Sequence, residues 1–218
     1  MLELAAGAAT LGYGAVVNRL LPDVAHLPAN SVAATAFVAA ARRDGTTLED
    51  LGLAPERVWP GVRTGLACAV PVVAGVACAA AIPQTRRFFS DQRVLDASNK
   101  RALYEVAIRI PIGTALAEEA IFRGALLALL RRRGSTGRAM ALSSLAFGLW
   151  HVFAAPQTGA GSGPGRSVRA AAGVVIVTAA AGYGFGRLRL RSGSVVAPAL
   201  VHAALNASAF VATRIVSR

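Results

Sequence analysis

Long apolar segments separated by short charged ones set the pattern of this chain. Three of the segments contain no Asp, Glu, Lys or Arg: residues 64–85, 139–165 and 192–213. About 20 consecutive apolar residues are enough to span the hydrocarbon core of a bilayer, and each segment reaches that length. The pattern therefore predicts an all-α polytopic membrane protein, with residues 1–218 forming a single membrane-embedded domain.

The same pattern predicts seven helices that pack as one transmembrane bundle. The second is rich in alanine and short for a span. A stretch rich in Gly, Ser and Pro at 157–166 predicts a loop after the fifth helix. Gly182 and Gly186, four residues apart, predict close packing of the sixth helix inside the bundle rather than homodimerisation. The predicted helices cover residues 4–21, 28–41, 61–82, 102–130, 138–155, 167–188 and 194–213.

Composition narrows the expected partners and location. Hydrophobic residues make up 55% of the chain and charged residues 16%, and the mean hydropathy is +0.52. The net charge of +12 is carried almost wholly by arginine, which fits loops that face anionic headgroups. No basic patch on a soluble face is visible, so membrane lipids are expected partners and nucleic acid is not. The heavy use of Ala, Gly, Val and Arg fits a GC-rich bacterial genome and hence the bacterial cytoplasmic membrane.

Polar residues interrupt the fourth, fifth and seventh predicted helices. A charge near the middle of a bilayer is costly and needs a partner or a water-filled cavity. Three polar clusters in three apolar segments therefore predict one buried polar site that is shared by the three helices. The residues concerned are Glu118, Glu119, Arg123, His151, His202 and Asn206, and Phe147 lies one turn before His151.

Spacing in the fourth helix separates the two glutamates. Glu119 and Arg123 are four residues apart and can pair on one face, whereas Glu118 is rotated by about 100° from Glu119. The arginine can thus neutralise one carboxylate while Glu118 faces a cavity as a general base. A structural pair that fastens helices together would explain Glu119 and Arg123 but not the second glutamate.

Two kinds of chemistry fit this set of residues. In water-driven acyl transfer, a base activates the water, an imidazole orients it, and neutral or positive donors hold the oxyanion. One glutamate and two histidines can also bind zinc, and the candidate ligands are Glu118, His151 and His202. However, the chain has no HExxH motif and no recognisable second shell for the imidazoles. We therefore expect a metal-free glutamate mechanism, with zinc as the alternative.

Three motifs resemble those of the CAAX-protease and bacteriocin-processing (CPBP or Abi) family of intramembrane proteases. Residues 118–126 resemble its EExxxR motif, 142–151 its FxxxH motif and 193–206 its HxxxN motif. Their order and approximate spacing agree over residues 105–210. The resemblance implies an intramembrane endopeptidase with a protease core at about 102–214. Members of the family have been described as both metallo- and glutamic-type.

The resemblance also implies a role for each motif residue. Glu118 would activate the water, with His151 orienting or polarising it. His202 and Asn206 would stabilise the tetrahedral oxyanion. Residues that support the site electrostatically or by packing would be Glu119, Arg123 and Phe147.

The motifs do not reveal the substrate. Eukaryotic members of the family cut a prenylated CAAX tail, whereas bacterial members are linked to peptide maturation or bacteriocin immunity. The expected partner is therefore a peptide or protein, lipid-anchored or membrane-inserted, without a prenyl requirement. Two other functions stay open. One is a non-catalytic membrane immunity or binding protein that keeps the polar site as a pocket, and the other is a proton-coupled transporter, because Glu/His relays also occur in pumps.

Overall fold

Seven long helices account for most of the described chain. The computed structural model describes residues 2–154 and 164–216, and these residues contain no strand. The all-α class and the helix count confirm the predicted fold. The helices are α1 (Leu2–Leu20), α2 (Asp23–Arg43), α3 (Val58–Ala81), α4 (99–132), α5 (Thr136–Ala154), α6 (Pro164–Ser192) and α7 (Val196–Val216).

Four segments of the described chain are long and apolar enough to cross a membrane: Asp23–Arg43, Leu48–Ala81, Val168–Ser192 and Val196–Val216. The first of these is α2, which the sequence predicted to be short. The protein is therefore an integral membrane protein.

Helix α4 is the centre of the bundle. It packs against α1, α2, α5, α6 and α7, and residues 117–129 are all buried. A helix that is surrounded by other helices keeps its charged residues away from lipid. This explains why three ionisable side chains can lie within one short segment of α4.

Wide turns distinguish α4 from a regular α-helix. Over Glu105–Leu116 and Ala120–Leu126 the helix is π-type, so its hydrogen bonds run from residue i to residue i−5. The amide of Ala117, for example, donates to the carbonyl of Ile112. Pro111 lies in the first of these segments and has no N–H to donate. Because π-type turns hold more than four residues, they change which side chains share a face of α4.

Helix α2 begins five residues before its predicted start at Pro28. A proline is common in the first turn of a helix, but Pro28 lies inside this one. Contacts with α4 stabilise the extra turn. The Asn30 side-chain amide donates to the carbonyl of Gly113 at 2.7 Å, and Leu27 lies directly against Gly113. Packing thus outweighs the local preference of the sequence.

The other predicted helix bounds differ from the observed ones by no more than four residues. The predicted loop at 157–166 falls mainly on residues 155–163, which lie outside the described residues. Its last residues belong to the first turn of α6.

Candidate active site

A buried carboxylate at the centre of the bundle binds both an arginine and a histidine. Arg123 Nη1 donates to Glu119 Oε1 over 3.3 Å. His202 Nδ1 lies 3.0 Å from the same oxygen and must donate, because a carboxylate only accepts. The exposed fractions are 0% for Glu119, 1% for Arg123 and 3% for His202. This network therefore joins α4 to α7 in a dry environment.

Aromatic rings surround Arg123 and His202, the two partners of Glu119. The guanidinium carbon of Arg123 lies 4.0 Å from the ring centroid of Phe147 and 5.4 Å from that of Phe185. Such contacts stabilise a desolvated cation through the ring quadrupole. The His202 ring stacks on Phe185, with 5.1 Å between centroids and 18° between planes. Phe147 and Phe185 thus take the place of water around the network.

Because Gly182 on α6 has no side chain, Arg123 can occupy the space beside it. A Cβ atom at this position would lie 2.7 Å from Arg123 Nη2 and 3.0 Å from Phe147 Cδ1. At Gly186, one turn later, a Cβ would lie 2.6 Å from the sulfur of Met140. Both glycines of the GxxxG pair therefore pack inside the bundle. The spacing of the two glycines predicted this packing, but it gave no sign of their contact with the polar site.

Glu118 faces a different space from Glu119. It lines a cavity of about 430 Å³ together with His151 and Asn206. Residues from α1, α2, α4, α5 and α7 form the wall, at the end of the bundle where α1, α5 and α7 finish. Glu118 is 6% exposed, and its buried Oε2 has no hydrogen-bond partner among the described residues. Oε2 of Glu119 is also without a partner among the described residues, but of the two glutamates it is Glu118 that lines the cavity. A buried polar atom without a partner is costly, and its place in the cavity makes Glu118 the leading candidate for a catalytic group.

The hydrogen bond of His151 fixes which of its ring nitrogens is free. Nδ1 lies 2.7 Å from the carbonyl oxygen of Phe147. Because a carbonyl only accepts, Nδ1 carries a hydrogen, and Nε2 of the neutral ring is then an acceptor. His151 lines the same cavity as Glu118. It can therefore accept a proton or a hydrogen bond from a water molecule there.

The motif residues thus fall into two groups. Glu118, His151 and Asn206 line the cavity, whereas the network residues Glu119, Arg123 and His202 and their neighbour Phe147 are not among its lining residues. His202 was expected to hold an oxyanion beside Asn206, one turn away on α7. A neutral His202 that donates from Nδ1 to Glu119 has no hydrogen on Nε2, so only its imidazolium form could donate to an oxyanion.

Zinc was the alternative cofactor, with Glu118, His151 and His202 as ligands. Among the described residues, no three His, Cys, Asp or Glu side chains form a group that could hold a metal ion. Nδ1 of His202 is held by Glu119 and Nδ1 of His151 by the Phe147 carbonyl, so each ring keeps Nε2 as a possible metal ligand, with the kind of second shell that metal-bound histidines have. However, His202 is not among the residues that line the cavity of Glu118 and His151, so the described residues do not bring the three candidate zinc ligands together.

The cavity wall also carries charged residues that the three motifs did not predict. Glu105 on α4 is 3% exposed and accepts from Arg101 at 2.6 Å and from Arg109. Nearby, a hydrogen bond from Arg93 holds the pKa of the Asp91 carboxyl below its usual value, so this carboxylate stays ionised. The spacing of four residues between Arg101, Glu105 and Arg109 was the signal that could have revealed this wall.

Fold and site together define the class: an integral membrane protein with a buried Glu–Arg–His network beside a cavity that is lined by a second buried glutamate. Residues 101–208 match the family described as type II CAAX prenyl endopeptidase Rce1-like. The chain therefore carries a CAAX protease domain of this family, as its motifs predicted, and the family is one of intramembrane endopeptidases. The match runs from the start of α4 into α7 and includes every motif residue. No curated protein and no solved structure matches the chain.

Proposed function

We propose that this protein is an intramembrane endopeptidase in which Glu118 activates the water that hydrolyses the peptide bond. The observation that carries the proposal is that the buried Glu118 carboxylate, whose Oε2 has no hydrogen-bond partner among the described residues, lines one cavity with His151 and Asn206. Membership of an endopeptidase family supports peptide hydrolysis, whereas the assignment of the base rests on the cavity.

Side chains that line the cavity can carry out each step of the reaction. The Glu118 carboxylate takes a proton from a water molecule, and the water oxygen attacks the carbonyl carbon of the scissile bond. His151 Nε2 accepts a hydrogen bond from the same water and orients it. The Asn206 amide donates to the oxyanion that forms. The proton on Glu118 then passes to the amide nitrogen as the C–N bond breaks, which restores the carboxylate.

The Glu119–Arg123–His202 network has a positioning role in this mechanism. His202 and Asn206 are one turn apart on α7, so the bond from His202 to Glu119 also fixes Asn206 relative to Glu118. An imidazolium at His202 would add positive charge behind the oxyanion. The role proposed for His202 is therefore to hold α7, and with it Asn206, in place beside Glu118.

The variant Glu118→Gln tests the base directly. An amide keeps the shape of the side chain but cannot take a proton, so cleavage should fall by about 10²–10⁴-fold. Purified protein in detergent is incubated with a diverse peptide library, and new termini are read by mass spectrometry. Glu56→Gln, the same change at an exposed glutamate outside the site, should keep full activity.

Full turnover by Glu118→Gln would show that another group is the base. A wild-type protein that cleaves no peptide would instead favour a binding protein. Proton-driven solute uptake into liposomes that contain the protein would favour a transporter.

The proposed mechanism uses no metal. Activity should therefore survive exhaustive treatment with strong chelators, and elemental analysis of the pure protein should find no stoichiometric metal. Loss of activity on chelation that zinc restores specifically would contradict this, and would mean that the site rearranges to bring a third ligand to Glu118 and His151.

The substrate that we propose is a peptide or protein at the membrane, lipid-anchored or membrane-inserted, in the bacterial cytoplasmic membrane. The position of the cavity inside a membrane bundle supports this class, because a substrate must reach a site that lies among helices. A peptide that carries a lipid anchor should be cleaved faster than the same peptide without it when the protein is in liposomes. Equal cleavage of the two would speak against a membrane-held substrate.

A further inference from the structure

The cavity contains an arginine whose hydrogen-bond donors are largely unused. Arg109 lines the same cavity as Glu118, and its side chain is 25% exposed. Its Nε donates to Glu105, but neither terminal nitrogen has a partner among the described residues. Because a guanidinium carries five N–H donors in a fixed planar arrangement, Arg109 can still bind a second anion.

The other two arginines of the described cavity wall already use terminal nitrogens in contacts with carboxylates. Arg93 donates to both oxygens of Asp91, from Nε at 3.1 Å and from Nη2 at 2.7 Å. Arg101 donates from Nε to Glu105, and its Nη2 lies 3.6 Å from an oxygen of Asp23. Within the described wall, Arg109 is therefore the arginine with both terminal nitrogens open to a ligand.

The wide turns of α4 bring Arg109 to the side of the helix that carries Glu118. Nine residues of a regular α-helix make two and a half turns, which would place the two residues on opposite faces. The cavity-lining residues on α4 instead recur every four or five positions, the period of turns with i→i−5 hydrogen bonds. These residues are Arg101, Glu105, Arg109, Ile110, Thr114 and Glu118.

The separation along the helix fits a short stretch of substrate. Nine residues rise by about 13 Å at the α-helical 1.5 Å per residue, and by less in wider turns. An extended peptide advances by about 3.3 Å per residue. A group held at Arg109 would therefore lie about three to four residues from a peptide bond held at Glu118.

We propose that Arg109 binds a carboxylate of the substrate, about three to four residues from the cleaved bond. The guanidinium matches a carboxylate in geometry as well as charge, and the two can form a pair of parallel hydrogen bonds. The carboxylate is either the free C-terminus of the substrate or an Asp or Glu side chain. This inference rests on the proposed function, because Glu118 marks the position of the cleaved bond.

Matched peptide libraries test the proposal on the wild-type protein. One library ends in a free carboxylate and its twin in an amide, and a third set of amidated peptides carries a single Asp or Glu at each position in turn. If the C-terminus is the ligand, free-acid peptides should be cleaved near their ends about 10- to 100-fold faster than their amidated twins, as expected for a hydrogen bond to a charged group. If a side chain is the ligand, cleavage should follow the acidic residue at a fixed distance.

Equal cleavage of all three libraries would overturn the proposal while leaving cleavage that depends on Glu118 intact. That outcome differs from failure of the proposed function, in which wild-type protein cleaves nothing or Glu118→Gln cleaves normally. Those results would also contradict the proposed binding of a substrate carboxylate by Arg109.

Two arginine variants locate the effect. Arg109→Gln and Arg101→Gln each remove one of the two arginines that donate to Glu105. Both variants therefore lose one ion pair with Glu105, and they differ in which arginine is lost. Arg109→Gln should abolish the preference for a carboxylate, whereas Arg101→Gln should keep it, with thermal unfolding in detergent as the check on folding. Equal loss of the preference in both variants would assign the effect to Glu105 and contradict the proposal.

Discussion

At the scale of single residues, Arg123 shows how this membrane protein holds a charge in its interior. The side chain is 1% exposed, so it has no bulk water as a partner. Glu119 supplies the counter-charge at 3.3 Å, and the faces of Phe147 and Phe185 supply part of the missing solvation. The pair costs free energy to bury, and neither member is tolerable without the other.

The variant Arg123→Ala should therefore destabilise the protein as well as reduce its activity. It leaves the Glu119 carboxylate buried with only His202 as a partner, and breaking a buried pair in this way costs about 3–5 kcal/mol. We expect a lower thermal unfolding temperature in detergent and a lower yield. The double variant Glu119→Gln, Arg123→Gln removes both charges and should recover part of the stability. An unchanged unfolding temperature in Arg123→Ala would mean that the pair does not hold the fold.

The sequence predicted part of this network. Glu119 and Arg123 are four residues apart, and the spacing alone indicated their pairing, because both lie on neighbouring turns of one helix. The contact between Glu119 and His202 was not predictable in the same way. It joins residues 83 positions apart and depends on how α7 rotates against α4.

At the scale of helices, the close approach of α6 to the site depends on a single small residue. Gly182 is buried and lies against Arg123 and Phe147, so α6 covers the network without a side chain of its own at that point. Two residues further along, Gly184 has nothing within 4 Å of its Cβ position. The two glycines have the same helix propensity but different surroundings.

This difference gives a matched pair of variants. Gly182→Ala should displace Arg123 or Phe147 and cost about 1–3 kcal/mol, as overpacking does, with reduced cleavage. Gly184→Ala should be neutral or stabilising by up to about 1 kcal/mol, because alanine favours a helix more than glycine does. Thermal unfolding and peptide cleavage measure both effects. Equal stability of the two variants would contradict the packing around Gly182.

At the scale of the whole molecule, the order of the helices along the chain determines which connections lie at the same end of the bundle as the cavity. The turn between α4 and α5 and the connection between α2 and α3 lie at the same end of the bundle, because two helices separate them. The connection between α3 and α4 lies at the opposite end, where the wall of the cavity includes Asp91 and Arg93. We therefore expect a substrate to reach the cavity from the side of the membrane on which that connection lies.

Cysteine labelling tests this topology. With Cys68 and Cys78 replaced by alanine, single cysteines are placed at Glu56, Gly134 and Ser90, one in each of these connections. A membrane-impermeant maleimide added to intact cells should label either the first two positions or Ser90, but not both sets. Labelling of Glu56 and Gly134 from different sides would contradict the arrangement of α3 and α4.

Several features of this protein followed from the sequence by itself. The membrane class and the seven helices depend on the length and hydrophobicity of continuous segments, which a sequence states directly. The family followed from three ordered motifs, and the Glu119–Arg123 pair from spacing within one helix. Only the bounds of α2 were clearly misjudged, because its extra turn is stabilised by contacts of Asn30 and Leu27 with α4.

Only the tertiary structure decided which space each polar side chain faces. It placed Glu118 in the cavity and His202 on Glu119, and it brought Arg109 to the side of Glu118. The rotation of residues along α4 depends on its i→i−5 hydrogen bonds, which neither hydrophobic pattern nor residue spacing reports. A helix with a different number of residues per turn presents the same sequence on different faces, and contacts between helices far apart in the chain determine which of those faces meet.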